Sequence, residues 1–319
     1  MKFIKKCVIG IFSLIFISGT IYGIDYREEM RQFVISLSRY AESTCPGFLL
    51  IPQNGQEILT MDGETEGPVH RDYLKAIDAI GREDLFFGYR RDNRKTPSGE
   101  NRHLLEWCRL YKEKGIPVLV TDYCSDEDKM DESRRLNGEN GFISFTAPER
   151  ELNEIPPGPD LLSGENRGDI LSAGEVRNFL YLINGEKFST KKDFLSTVKA
   201  TNYDLIIMDL FLSDEALNEG DLEQIRKKQN GGRRLLICYM SIGEAEDYRF
   251  YWKKDWEFSP PAWLKEENPN WEGNYKVRYW DPDWQSIIFG NPEAYLDRIL
   301  AAGFDGVYLD IIDAFEYFE

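Results

Sequence analysis

The sequence predicts an α/β protein, a circularly permuted (β/α)8 TIM barrel, from three observations. Eight apolar runs are spread along the chain, and helical patterns separate many of them. The last run has no helix after it, while a helix with no strand before it stands near the start. Strands buried on both faces of a parallel sheet read as continuous apolar runs, and alternating strand and helix closes naturally into a barrel at eight units. The runs fall at 48–52, 76–80, 117–122, 142–145, 178–183, 205–210, 235–240 and 306–311. Helical patterns at 102–114, 191–200, 221–229 and 292–302 lie between them, with a weaker one at 73–75.

The helix without a strand is 25–42, with an apolar stripe of Met30, Phe33, Val34, Leu37 and Tyr40. Joining the chain ends would place it between strand 306–311 and strand 48–52, as the missing crossover. Termini that lie close together make such a permutation tolerable; a truncated tandem gene would give the same order. Residues 153–174 carry Pro156, Pro157, Pro159, Gly158, Gly164, Gly168 and Gly174, the composition of a linker. Four βα units do not close a barrel, so the linker is expected inside a single domain, 24–319. Two four-stranded domains are the alternative.

Residues 1–23 have the order of a secretory signal: Lys2, Lys5 and Lys6, an apolar run from Cys7 to Ile17, then Ser18, Gly19 and Gly23. A membrane-spanning helix needs about 20 apolar residues, so an uncleaved anchor is the second reading and the one that involves a membrane. Cys7 lies ahead of the run, which argues against a lipoprotein. The expected location is secreted, periplasmic or cell envelope. Loss of three lysines takes the formal charge from −17 to −20. Nucleic acid needs a basic surface and is not an expected partner; a cationic or neutral substrate suits an acidic protein, as does plain solubility. Cys45, Cys108, Cys124 and Cys238 form no close pair, and Cys124 and Cys238 sit in strand-like segments where buried thiols are common; one disulfide could form outside the cytoplasm, with no pairing given by the sequence. The two histidines, His70 and His103, have no metal-ligand spacing, and neither GxSxG nor a P-loop occurs. No cofactor is implied, and a monomer is expected.

Three motifs carry a resemblance: Leu236-Ile-Cys-Tyr-Met-Ser-Ile-Gly-Glu-Ala-Glu-Asp-Tyr-Arg249, Tyr279-Trp-Asp-Pro-Asp-Trp284 and Gly303-Phe-Asp-Gly-Val-Tyr-Leu-Asp310. Two more join them, Phe48-Leu-Leu-Ile-Pro-Gln-Asn-Gly-Gln-Glu57 and Ile80-Gly-Arg-Glu-Asp-Leu-Phe-Phe-Gly-Tyr89. Together they resemble the endo-α-1,4-polygalactosaminidase family of glycoside hydrolases, in a bacterial and archaeal branch some of whose members carry an old "cysteinyl-tRNA synthetase-related" label. In the family the last two motifs follow the aspartate-bearing strand; here they precede it, in agreement with a permutation. The resemblance implies a (β/α)8 barrel, hydrolysis of a galactosamine-containing polysaccharide, and a strand-end acid at Asp310. The second acid matches Glu83, one residue out of register. Nothing here supports the synthetase label.

The residues themselves fit that chemistry. Glycoside hydrolysis uses two carboxyl groups flanking the bond, and Asp310 and Glu83 each follow a strand, where barrel active sites lie. Asp84 competes with Glu83 within the same turn. Asp209, Tyr239, Asn54 and Asp122 are further strand-end polar groups, costly inside a packed barrel and so expected at its mouth. The turn from Ser241 to Glu246 brings Ser241 and acids to the rim, and Gly243 could admit a sugar closely. Glu246 and Arg249 form a candidate orienting pair, Asp209 a possible ion-pair partner, and Asp313 a candidate helix cap as well as a site residue. Six of seven tryptophans lie between Trp252 and Trp284. Most are expected to pin a long loop, with Trp280 and Trp284, beside Asp281 and Asp283, as candidates for stacking on sugar. A non-catalytic carbohydrate-binding protein, or an anchored envelope scaffold, are the rival readings.

Overall fold

A computed structural model describes residues 23–156, 165–212 and 215–319. The signal-like segment, apart from Gly23, and residues 157–164 of the linker lie outside the described residues. The fold is mixed α/β, built on parallel strands. Eight strands form its centre: β1 (Leu49–Pro52), β2 (Ile80–Glu83), β3 (Val118–Tyr123), β4 (Ile143–Ala147), β5 (Phe179–Tyr181), β6 (Leu205–Met208), β7 (Leu235–Ser241) and β8 (Gly306–Asp310). Five make one parallel sheet in the order β1-β8-β7-β6-β5, and three make another in the order β2-β3-β4. A parallel bridge between Gln53 and Gly81 joins β1 to β2, with Asp78 N donating to Leu50 O at 2.9 Å. On the opposite flank the rings of Phe145 in β4 and Phe179 in β5 lie 5.6 Å apart.

All eight expected runs contain a strand. The second is displaced: 76–79 closes helix α2 (Arg71–Ala76) and leads into the strand, although Ile77 and Ala79 are as buried as strand residues. Apolarity marked the burial of this stretch correctly and its conformation wrongly. Helix α1 (Tyr26–Thr44) is capped by Asp25, which accepts from Glu28 N at 3.0 Å. Met30, Phe33, Val34 and Leu37 are buried as the stripe requires. So is Arg31, whose guanidinium donates to Ile58 O and Thr60 O at 2.7 and 2.6 Å. α1 packs beside α2 and against helix α8 (Tyr295–Ala302), on the flank where β8 pairs with β1. Arg27 Nε donates to Glu319 Oε1 at 2.8 Å.

Helices α3 (Ser98–Glu113), α5 (Lys191–Lys199) and α6 (Glu219–Ile225) stand at expected patterns. Two more carried no readable stripe: α4 (Glu127–Asn140) and α7 (Pro282–Ile288). The buried face of α4 is Met130, Ser133 and Asn137, and it is polar because two of these bond to a buried carboxylate. The long insertion after β7 folds into a three-stranded antiparallel sheet, Glu244–Glu246, Asn274–Val277 and Leu264–Glu267.

The end of the linker is fastened from below. Lys228 Nζ, fully buried, donates to Asn166 O and Gly168 O at 2.5 and 3.0 Å and pairs with the buried Asp204 at 2.7 Å. Breaking a buried ion pair leaves an uncompensated charge, at about 3–5 kcal/mol. Asp204→Asn is therefore expected to lower the stability by that amount in urea unfolding, and a loss below about 1 kcal/mol would contradict this role.

Candidate functional site

Side chains alternate across a strand, so ladder register decides which share a face. Ile51 and Tyr239 both pair with Tyr308, Ser241 pairs with Asp310, and Glu83 pairs with Thr121. One face therefore carries, at the C-terminal strand ends, Gln53, Glu83, Tyr123, Tyr181, Asp209, Tyr239 and Asp310.

Two of these acids are held by one side chain. Gln53 Nε2 donates to Asp310 Oδ1 at 2.7 Å and to Glu83 Oε2 at 3.0 Å. Both oxygens lie within hydrogen-bond reach of one nitrogen, so they can be no farther apart than those two distances end to end. The amide is oriented in turn, because Tyr181 OH donates to Gln53 Oε1 at 3.2 Å. Asp310 also accepts from Tyr239 OH at 2.6 Å and from Ile311 N at 2.8 Å. Glu83 accepts from Asn54 Nδ2 at 3.0 Å and from the Tyr123 phenol. Asn54, itself left-handed at φ 58°, in turn accepts from Glu83 N at its Oδ1. Ile311 is also left-handed, at φ 59°. A β-branched residue rarely adopts that conformation, and here it turns the chain directly after Asp310.

The electrostatics follow from crowding. Burial, then the charge of Glu83, pushes the Asp310 carboxyl up to about 7, against the pull of Tyr239 and Ile311 N. Asp313 is pushed up to about 7 by burial and by Glu316. Asp84, the competitor in the Glu83 turn, faces Arg150 at 3.1 Å, and burial still raises it to about 6. Arg150 stacks 3.9 Å from the centre of the Tyr123 ring. Asp84 is thus spent on an ion pair, and Glu83 is the acid that meets Asp310.

A second group lies on the same rim. Arg249 donates to Asp209 Oδ2 and to Glu246 Oε2, both at 2.6 Å. The Glu246–Arg249 pair is buried rather than a surface pair, and Asp209 takes its ion-pair role. Tyr248 OH donates to Glu246 Oε1 at 2.6 Å. A cleft of about 330 Å³ opens here, lined by Asp209, Tyr248, Arg249, Glu186, Phe211 and Phe250 among others.

Several expected residues are placed elsewhere. Asp122 is buried on the opposite face of β3, accepting from Phe86 N, Phe87 N, Ser133 Oγ and Asn137 Nδ2, so it anchors α4 instead of lining the mouth. Ser241 shares the face of Asp310 by register but is buried and donates to Glu244 O at 3.1 Å. Trp284 has no exposed surface, and its indole N–H donates to Ile242 O at 2.9 Å; it belongs to the loop's own core. Trp280 packs on Tyr26 and Phe318, with ring centres 5.0 and 4.8 Å apart. Asp281 caps α7, accepting from Asp283 N at 3.0 Å. Asp313 is not a cap: Ile311 holds the cap position of the final 3-10 turn, Ile312–Tyr317. Gly243 admits the protein's own backbone, since a Cβ there would strike Ile311 O and sit 2.7 Å from the Ala314 Cβ.

Gln53, Tyr123 and Tyr181 were not anticipated. Gln53 stood beside Asn54 at a strand end, the same signal that marked Asn54. Tyr123 was passed over for its neighbour Asp122, and only strand phase separates the two.

Comparison with known proteins bears on one part of the chain. Residues 184–319 match the model of glycoside-hydrolase family GH114. An uncharacterized protein of Methanocaldococcus jannaschii is 42% identical over 156 residues, covering 46% of this chain and 44% of that one. Uncharacterized proteins of Deinococcus radiodurans and Thermotoga maritima are 44% and 41% identical over 122 and 120 residues, each covering 38% of this chain and 37% and 36% of theirs. The chain spans less than half the length of each of these relatives. The family match supports a glycoside hydrolase. The matched segment contains Asp209, Tyr239, Arg249 and Asp310; Gln53, Asn54 and Glu83 lie outside it.

Proposed function

We propose that this chain is a retaining glycoside hydrolase whose two carboxyl groups are Asp310 and Glu83. The observation that carries the reading is the Gln53 amide bonded to both acids at once. The resulting spacing suits retaining enzymes, whose carboxyl groups are about 5–5.5 Å apart, and leaves no room for the intervening water of inverting ones at about 6.5–9.5 Å. In this mechanism one acid, ionised, attacks the anomeric carbon while the other protonates the departing oxygen. Water then hydrolyses the glycosyl-enzyme with the second acid acting as base. Burial and the nearby charge of Glu83 push the Asp310 carboxyl up to about 7, so a proton is available at Asp310 near neutral pH.

The two sheets, bridged at Gln53–Gly81 and abutting at Phe145–Phe179, are read as one (β/α)8 barrel. Its cyclic order is permuted, with α1 as the helix between β8 and β1. The proposed substrate is a galactosamine-containing polysaccharide, and the proposed setting is outside the cytoplasm, on the strength of residues 1–23. The carbohydrate-binding alternative loses ground because Glu83 faces Asp310 instead of pointing away.

The test is to incubate purified residues 24–319 with partly deacetylated galactosamine polymer and count new reducing ends, with Asp310→Asn in parallel. Release by the native protein and loss in the variant are expected; no release by folded protein from this polymer would remove the proposed substrate. Proton NMR of the freshly formed ends is expected to show the anomeric configuration of the substrate. Initial appearance of the opposite anomer would exclude the two-step mechanism.

A further inference from the structure

A further cleft lies away from the acid pair. It is a cleft of about 360 Å³ on the outer side of the Arg249–Trp252 turn, within the size range of small-molecule sites. Phe250, Trp252, Trp256 and Ile287 give it an apolar floor. Trp252 is half-buried and held from two sides, with ring centres 5.3 Å from Trp256 and 4.9 Å from Tyr275, so its free surface is presented rigidly. Ser286 and Asn291 stand at the exposed rim; Ser286 Oγ donates to Asp283 O at 2.8 Å and keeps its acceptor lone pairs, and Asn291 Nδ2 donates to Ser286 O at 2.7 Å and keeps a second N–H. A rigid aromatic floor with a hydrogen-bonding rim fits a sugar ring, whose C–H faces are apolar and whose edges are polar.

Two features connect the cleft to the polymer and specify which sugar it takes. Phe250 also lines the cleft at Asp209 and Arg249, so the two clefts are one side chain apart and an extended chain could occupy both. Their charges differ. In the Asp209 cleft Arg249 takes the Asp209 carboxylate at 2.6 Å, and Glu186 remains. In the outer cleft the Glu293 carboxylate is taken by Arg298 at 2.5 Å, and Lys253 Nζ stands 5.7 Å over the Trp256 ring. The remaining cation disfavours an ammonium-bearing sugar and leaves an uncharged one unopposed.

We propose that this outer cleft is an accessory glycan subsite for uncharged, N-acylated hexosamine units of the polymer cut at Asp310 and Glu83; the link to cleavage rests on the glycosidase reading. The protein would thus read the pattern of N-acylation at a distance from the reacting bond.

The probes are an N-acetylated galactosamine tetramer and its de-N-acetylated counterpart, titrated by tryptophan fluorescence in the Asp310→Asn background. The N-acetylated tetramer is expected to bind at least tenfold more tightly than its counterpart. Ser286→Tyr, filling the cleft from its exposed rim, is expected to weaken its binding at least tenfold with an unchanged melting temperature. Lys253→Glu is expected to narrow the preference to within twofold. Absence of binding, equal affinity for both probes, or full affinity in Ser286→Tyr would overturn the subsite. Binding that is lost in Ser286→Tyr, with no hydrolysis of galactosamine polymer by the native protein, would leave the subsite standing and remove the proposed substrate of the acid pair instead.

Discussion

Asp310→Asn is expected to lower hydrolysis at least about 10³-fold and, above pH 7, to make the protein more stable. The first effect follows from removing one of two groups that cannot substitute for each other; positioned acid–base catalysis alone is worth about 10²–10⁴-fold. The second follows from proton linkage. The carboxyl has an ordinary value of 3.8 and is raised to about 7 in the folded protein. Between those values the folded state binds the proton that the unfolded state has lost. Stability therefore falls as pH rises from about 4 through 7, and the penalty is fully present above 7. Asparagine has no proton to lose and escapes it. One pK unit corresponds to 1.36 kcal/mol, so the rise caps the gain at roughly 4 kcal/mol; asparagine reproduces only part of the carboxylate's hydrogen bonding, so a gain of about 1–3 kcal/mol at pH 8, or a few degrees in Tm, is expected. At pH 4 the gain should vanish. Melting curves of both proteins at pH 4, 6 and 8 check this; a variant that melts lower than the native protein at pH 8 would refute the strained state of the pair.

Gln53→Met is expected to lower kcat about 10²-fold, leave KM within about threefold, and move the acid limb of the pH profile upward. The thioether fills similar volume but donates nothing, so the ionised forms of both acids lose a hydrogen bond and their affinity for protons rises. A residue that merely filled space would reduce the folded fraction without moving the limb. Tyr181→Phe supplies the graded control: it removes only the bond that orients the amide, and a fall of less than tenfold is expected. An unmoved pH profile in Gln53→Met would show that the amide does not set the ionisation of the pair.

The strands were legible because burial on both faces leaves little but Val, Ile, Leu and aromatic residues in them; β7 and β8 need no other clue. Asp310 was legible because an acid ends such a run. The physics that hid other parts is equally specific. α4 bonds its inward face to Asp122, so the pattern that marks a helix is replaced by Ser133 and Asn137. The choice between Asp122 and Tyr123 needs the phase of β3, which a fully buried strand does not display because its two faces are alike. Trp284 reads as a groove ring in the sequence because acids flank it, yet Asp281 caps the helix that carries Trp284 into the loop's core. The role of Gln53 could not be read at all, since it depends on acids 30 and 257 residues away.

Those separations also govern when the protein becomes competent. Gln53 directly follows β1, whose ladder partner β8 comes from the far part of the chain. Such long-range pairings carry the largest loop-closure entropy and tend to form late. In refolding, helical signal should then recover ahead of catalysis, and the appearance of activity would serve as a clock for the zipping of β8 onto β1. Until then β1 and β7 expose unpaired edges, the state in which a chaperone or a second chain could engage them.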